Sequence, residues 1–214
     1  MEIVKYKNIR NLNNECLSLV NSVYDKVNIY YRINDGAHQI EHALDVLNNL
    51  LHINSLLKET DNIKLLIISA MYHDIYSNKI DRSKHHILAS EYVLKDKYIN
   101  SILSKEDVKL VSTMILEHRA SFKGERSNML SDMMSTADLG KPEIGPKINR
   151  SIKYHNGNAN GVIQHLKDKF GYNGYANYSD LYLRIYQKDI EKMQQDVEDL
   201  ILGKTNIKDY LDRD

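Results

Sequence analysis

His73 and Asp74 stand side by side directly after the apolar run Leu65-Leu-Ile-Ile-Ser-Ala-Met-Tyr72. An imidazole and a carboxylate at the edge of a hydrophobic surface both need compensation, and one divalent cation compensates both. In a chain with 9 His, chance alone supplies about one His-Asp pair, so the dipeptide gains weight only from its surroundings. Those surroundings are a series of His and Asp residues, each inside or beside a helical pattern. Upstream stands His38-Gln-Ile-Glu-His42-Ala-Leu-Asp-Val46. Downstream come His86-Ile-Leu-Ala-Ser-Glu91, then Ile115-Leu-Glu-His118, then Thr136-Ala-Asp138-Leu. The order is His, His-Asp, His, His, Asp.

This ordered set resembles the HD-domain metal-dependent phosphohydrolases, whose signature is a His, a His-Asp pair and a distal Asp. The two intervening His resemble those of the subgroup that can hold a second metal ion. By motif the resemblance covers about residues 30–150, and it extends more faintly over a helical C-terminal portion, about 151–214. Small stand-alone HD hydrolases of bacterial or phage type have this layout. The resemblance implies an all-α HD helical bundle with a C-terminal helical extension, a single domain over residues 1–214.

His38 and His42 are four apart and so share a face of the predicted helix. Asp45, one turn beyond His42, could hold its other ring nitrogen. HD enzymes of the cyclic-nucleotide class carry a similar His-x-x-x-His-Ala-x-Asp-Val segment, in which the second His binds metal and the first can serve as an acid. The resemblance therefore makes His42 a metal ligand and His38 a proton donor or phosphate contact. His73 and Asp74 lie about 100° apart around a helix, so both reach one ion only at a helix end, where they are expected. Asp138, also at a predicted helix end, completes the set His42, His73, Asp74, Asp138. Two neutral imidazoles and two carboxylates leave a divalent ion about neutral. Mixed N and O ligands suit manganese, iron, nickel, cobalt or zinc better than magnesium.

His86 and His118 could hold a second ion with Asp74 bridging. They could instead contact phosphate or water in a one-metal enzyme, or His85-His86 could be no more than a polar helix start. The implied reaction is hydrolysis of a small phosphate ester or anhydride, a nucleotide or a related compound. A metal acidifies its water and neutralises phosphoryl charge. Asp74 would orient or deprotonate that water, and His38 or His118 would protonate the leaving oxygen. Phosphate needs cations, and Lys79, Arg82 and Lys84 follow the His-Asp pair, while Arg119 and Lys141 adjoin His118 and Asp138. Tyr76 could stack on a base.

The stretches His73-Asp-Ile, His86-Ile-Leu-Ala-Ser, Ile115-Leu-Glu-His118 and Ala137-Asp-Leu-Gly-Lys-Pro-Glu-Ile-Gly look like small bacterial HD hydrolases that split nucleoside triphosphates or dinucleotide polyphosphates. Two departures bear on the substrate. Many relatives carry another acidic residue or a Gly-Lys after the His-Asp pair, where this chain has Tyr76-Ser77-Asn78-Lys79. Relatives often read Asp-Ala-Asp-Arg near the last Asp, where this chain has Thr136-Ala-Asp-Leu139. Two other readings share the ligand order or the fold: an HD-fold di-iron oxygenase, and a non-catalytic nucleotide-binding HD module.

These residues need helices to position them, and the apolar spacing is helical almost throughout. It predicts helices over about 8–28, 37–53, 62–75 and 84–98, a fifth from Ser104 to about His118, a sixth over about 129–138, and a long one from Ser179 to about Leu202. Ser104-Lys-Glu-Asp107 reads as a capping box with Asp in place of Glu, and Gly203 reads as a C-terminal stop. Pro142, Gly145 and Pro146 interrupt regularity, and no strand-like alternation is found.

Composition sets the remaining bounds. Lys plus Arg equals Asp plus Glu at 29 each, so no global charge draws the chain to nucleic acid or membrane and any anion site is local. One Cys, no Trp and 2 Pro argue against a disulfide scaffold and for a reducing compartment. Cys16 falls on an apolar helix face and reads as buried. With no hydrophobic segment of signal or membrane length, the expectation is a cytoplasmic protein without membrane partners, for which a homo-oligomer is open.

Overall fold

The computed structural model describes residues 5–78 and 81–211. Lys79 lies outside them, and of Arg82 only the backbone is described. The described residues form helices and no strand, as the apolar periodicity predicts. None of these helices is long and apolar enough to cross a membrane. The chain clusters into two compact units, residues 1–34 with 38–140, and residues 35–37 with 141–214. The boundary falls at Gly140, whose positive φ of 66° closes a helix with backbone that Gly adopts without strain. The sequence placed the edge of the metal-site core near residue 150.

Among the described residues the first unit contains eight α-helices: α1 (Lys7–Arg10), α2 (Asn14–Tyr31), α3 (Ile40–Leu57), α4 (Ile63–Tyr72), α5 (His85–Lys95), α6 (Lys97–Ile102), α7 (Lys105–Leu116) and α8 (Met129–Leu139). At its centre is α4. Eight of its ten residues are buried, and Leu66, Ile67, Ile68, Ala70 and Met71 are wholly inaccessible. A helix apolar on every side needs partners on every side, and α2, α3, α7 and α8 all pack against it. Burial of each such aliphatic side chain contributes about 1.5–3 kcal/mol. α2 turns Val20, Val23, Val27 and Tyr31 inward at helical spacing, and the Tyr31 hydroxyl donates to the Met71 carbonyl at 3.2 Å.

Side-chain caps set several boundaries that periodicity alone blurs. The helix expected over 8–28 is two, because Asn13 breaks it and its Oδ1 accepts from the Cys16 N–H. The helix expected over 84–98 ends at Lys95. Asp96 there turns into extended backbone, and its Oδ1 accepts from the Tyr98 and Ile99 N–H groups to start α6. Ser104 caps α7 through the Asp107 N–H, as its sequence pattern predicts. Cys16 is half-buried.

The second unit contains α9 (Ile144–Tyr154), α10 (Ala159–Phe170), α11 (Asp180–Ile201) and a 3-10 turn over Ile207–Tyr210. Pro146 sits in the first turn of α9, where its missing N–H costs nothing, so the prolines read as interruptions in fact accompany a helix start. Ser179 caps α11 through the Tyr182 N–H, and Gly203 follows its end with φ 69°.

Candidate metal centre

The His and Asp residues singled out in the sequence sit at helix ends of the first unit. Apolar residues carry α4 through the core until Tyr72. His73 is its C-cap, and the next residues turn, with the Ser77 N–H donating to the Asp74 carbonyl at 3.0 Å. That bend lets two adjacent side chains point the same way, as their spacing required. His42 lies in the first turn of α3, and His85 is the first residue of α5. His118 follows the C-cap of α7, and Asp138 stands in the last turn of α8.

The side chains converge. His42 Nε2 lies 2.9 Å from Asp138 Oδ1 and 3.3 Å from His73 Nε2. Asp74 Oδ2 lies 3.3 Å from His73 Nε2 and 3.8 Å from His42 Nε2. The other oxygen, Asp74 Oδ1, faces a different pair: His85 Nε2 at 3.1 Å and His118 Nε2 at 3.8 Å, which are 3.3 Å from each other. One carboxylate thus serves two donor groups, His42/His73/Asp138 and His85/His118. The site is largely dry. His73, Asp74, His85 and His118 are 0, 3, 5 and 2 % exposed, and the Asp138 side chain opens most, at 16 %.

Hydrogen bonding fixes which ring nitrogens face inward. His73 Nδ1 is 2.7 Å from the Ala70 carbonyl, and His118 Nδ1 is 2.6 Å from the Ile115 carbonyl. A carbonyl only accepts, so each Nδ1 carries the proton and each neutral ring turns an Nε2 lone pair toward the centre. Lone pairs and carboxylate oxygens 3.3 Å apart repel unless a positive charge lies between them. Protons supply only part of that charge. Burial lowers the His73 pKa, but the adjacent Asp74 carboxylate, with Asp138 and the Ala70 carbonyl, outweighs it and the net shift is upward. Burial, and then the charge of His73, push His118 down to about 3, so it is neutral near pH 7. Burial alone would raise the Asp74 pKa, but His73 and His85 hold it well below the usual carboxylate range.

A divalent metal ion fits this donor set. Donors at about 2.1 Å from one ion sit roughly 3.0 Å apart at right angles and roughly 3.4 Å apart at the tetrahedral angle. The donor separations around Asp74, 2.9 to 3.8 Å, straddle those values. His42, His73 and Asp138 form one set compact enough to hold an ion, and His73, Asp74 and His118 form another.

Other expected residues fall differently. His85, rather than His86, presents Nε2 to Asp74 and His118. The rings of adjacent residues at a helix start point about 100° apart, so only one of the two can face the cluster. His86 keeps a buried Nδ1 without a hydrogen-bond partner and a ring 6.5 Å from that of His118. Burial first, then His85 and Arg119, push its pKa to about 4. His38 precedes α3 instead of sharing its face with His42. It is nonetheless buried, with the two rings 6.0 Å apart. Asp45 is exposed on α3. Lys84 is exposed and paired with Asp81 at 2.9 Å, and Arg119 Nη1 donates to the Ser83 carbonyl at 2.7 Å. Lys141 belongs to the second unit, where it pairs with Glu143.

Two residues escaped the sequence reading. His85 is one. Asn34 is the other: its buried amide donates to the backbone carbonyls of both His38 and Asp74 at 2.9 Å, tying the loop before α3 to the His-Asp turn. A lone Asn in a loop carries no pattern that would have exposed it. Glu117 does similar work on the far side of His118, where its carboxylate accepts from the N–H and hydroxyl of Ser127 and anchors the following loop. Comparison with protein-family models, with curated proteins and with solved structures finds no match to this chain.

Proposed function

We propose that this chain is an HD-type metal-dependent phosphohydrolase acting on a nucleotide or a related small phosphoester or phosphoanhydride. One observation carries the reading: both oxygens of the buried Asp74 carboxylate are engaged, each by a different pair of imidazole nitrogens. Two adjoining groups with mixed N and O donors suit manganese, iron, nickel, cobalt or zinc, as one ion or two. Such an ion, when bound, acidifies water and offsets charge on phosphoryl oxygens.

The chain's own groups supply the rest. Asp74 stays ionised and is placed to orient a water or take its proton. His118 is held neutral, with its orientation locked by Ile115, so Nε2 offers a lone pair. His38, buried beside His42, is the candidate donor to a leaving oxygen. Arg119, fixed at one nitrogen by Ser83, is the described cation whose charge reaches His86 beside the cluster.

The test pairs elemental analysis of the purified protein with hydrolysis assays, with added manganese, on deoxynucleotides and dinucleotide polyphosphates. Copurifying transition metal, and turnover abolished in Asp74→Ala, are expected. A metal-replete protein inert toward every phosphoester would defeat the proposal. The shared carboxylate between two donor groups also suits a di-iron oxygenase, and two iron per chain with oxygen consumption would select that reading instead.

A further inference from the structure

Within the first unit lies a cavity of about 590 Å³ that none of the metal-centre donors lines. Its volume falls in the range of small-molecule sites, roughly 300–1,000 Å³. Tyr76, Tyr92 and Tyr98 wall it, and Lys26, Lys95 and Lys97 stand around it. We infer that this cavity binds a planar aromatic molecule carrying an anionic group, of which a nucleoside monophosphate is the simplest example. The inference goes beyond the phosphohydrolase reading and holds whatever chemistry the metal centre performs.

The tyrosines are held by contacts of their own. Tyr30, Tyr76 and Tyr92 pack edge to face around one another with centroids 5.8 to 5.9 Å apart. The Tyr30 and Tyr92 hydroxyls meet at 3.1 Å. Rings fixed this way lose little freedom when a planar ligand stacks on them. All three wall tyrosines are half-buried, unlike Tyr72 behind them, which is 1 % exposed.

The charges favour an anion. Lys26, Lys95 and Lys97 are exposed, and Lys26 Nζ lies 5.0 Å from the centre of the Tyr98 ring, over its face. Of the two lining carboxylates, Asp96 is spent internally. Its Oδ1 caps α6, and its Oδ2 accepts from the Tyr72 hydroxyl at 3.4 Å. Glu91 is exposed and can accept from N–H groups on a ligand's ring edge. Three ammonium groups around the aromatic walls, one of them over the Tyr98 face, suit a phosphate or carboxylate attached to a flat ring.

Calorimetric titration of the full chain, stripped of metal with EDTA, tests this with adenosine 5′-monophosphate, adenosine and inorganic phosphate. The monophosphate should bind one per chain, with adenosine and phosphate each weaker by about tenfold or more, since each lacks one recognised half. Replacing both Lys26 and Lys95 by Ala should weaken the monophosphate by about tenfold and leave adenosine and the melting temperature unchanged. Asp74→Ala should bind the monophosphate as the wild type does. No binding at millimolar monophosphate would overturn the inference, as would phosphate binding equally well. Loss of binding in Asp74→Ala would also overturn it, by placing the ligand at the metal centre. None of these outcomes decides whether the metal centre hydrolyses phosphoesters.

Discussion

Asp74→Asn tests the metal centre most directly, because it keeps the side chain's volume while removing its charge and one ligating oxygen. Asp74 is 3 % exposed and faces four imidazole nitrogens at 3.1 to 3.8 Å, two through each oxygen. A metal ion that binds only the folded chain, at a thousand times its dissociation constant, stabilises it by about 4 kcal/mol. For a chain of this length each kcal/mol moves the melting temperature by roughly 2–4 °C, so metal should raise it by roughly 8–16 °C over the chelated protein. Groups that merely orient a ligand change affinity by roughly 10- to 100-fold. A charged donor shared between two groups should cost about a thousandfold, at 1.4 kcal/mol per tenfold. The same metal concentration then only equals the dissociation constant, the stabilisation falls to about 0.4 kcal/mol, and the shift shrinks to roughly 1–2 °C. The assay is calorimetric melting of each protein with EDTA and with saturating manganese or zinc, each chelated sample serving as its own baseline. Asp138→Asn, which removes a donor from one group only, should retain part of the shift. If Asp74→Asn kept the full wild-type shift, Asp74 would not be a ligand and the metal-centre argument would fail.

Other expectations follow from the same structure. In the metal-free chain His118 has a pKa of about 3 against an ordinary 6.5. Between those values the unfolded chain binds a proton that the folded one refuses, so stability rises with pH across this window and is lost on acidification. Urea denaturation at pH 4.5 and 6.5 should show the wild type losing about 2–3 kcal/mol more than His118→Gln, and equal losses would refute the assignment. Asp96→Ala removes the cap of α6 and strands the buried Tyr72 hydroxyl. It should cost about 2–4 kcal/mol, of which adding Tyr72→Phe recovers a part, as a denaturant double-mutant cycle will show. Gly174→Ala would place a Cβ 2.5 Å from the Lys169 carbonyl oxygen and 2.9 Å from the Phe170 nitrogen, both backbone atoms. It should destabilise the chain by about 1–3 kcal/mol in thermal melts, and a neutral result would mean that this turn yields easily.

What the sequence disclosed depended on whether chemistry and pattern agreed. The run Leu65–Tyr72 is apolar on all sides, so a central helix and the position of His73-Asp74 at its end could both be read directly. Ser104 and Ser179 are good caps just ahead of periodic segments, and both cap. His85 failed the same logic. The inward stripe of α5 is built from His85, Ala89, Ser90 and Val93, while the larger Ile87, Leu88 and Leu94 are exposed. The resemblance points to His86 through the stretch His86-Ile-Leu-Ala-Ser, and no bulky apolar stripe marks His85 as the inward neighbour. His38 lies outside the helix expected over about 37–53, which begins at Ile40: the Asn34 amide holds the preceding loop through the nearby His38 carbonyl and the distant Asp74 carbonyl, bonds that periodicity does not register. α9 was obscured because Pro146 punctuates equally well a break and a beginning.

The donors all come from the tips of α3, α4, α5, α7 and α8, never from their middles. Variation in length is therefore cheap at the opposite extremities. A whole turn added to the C-terminal end of α3, or to the N-terminal end of α7, lengthens a rod without displacing the group it carries. Such a bundle can drift widely in size and surface while the cluster it encloses stays the same.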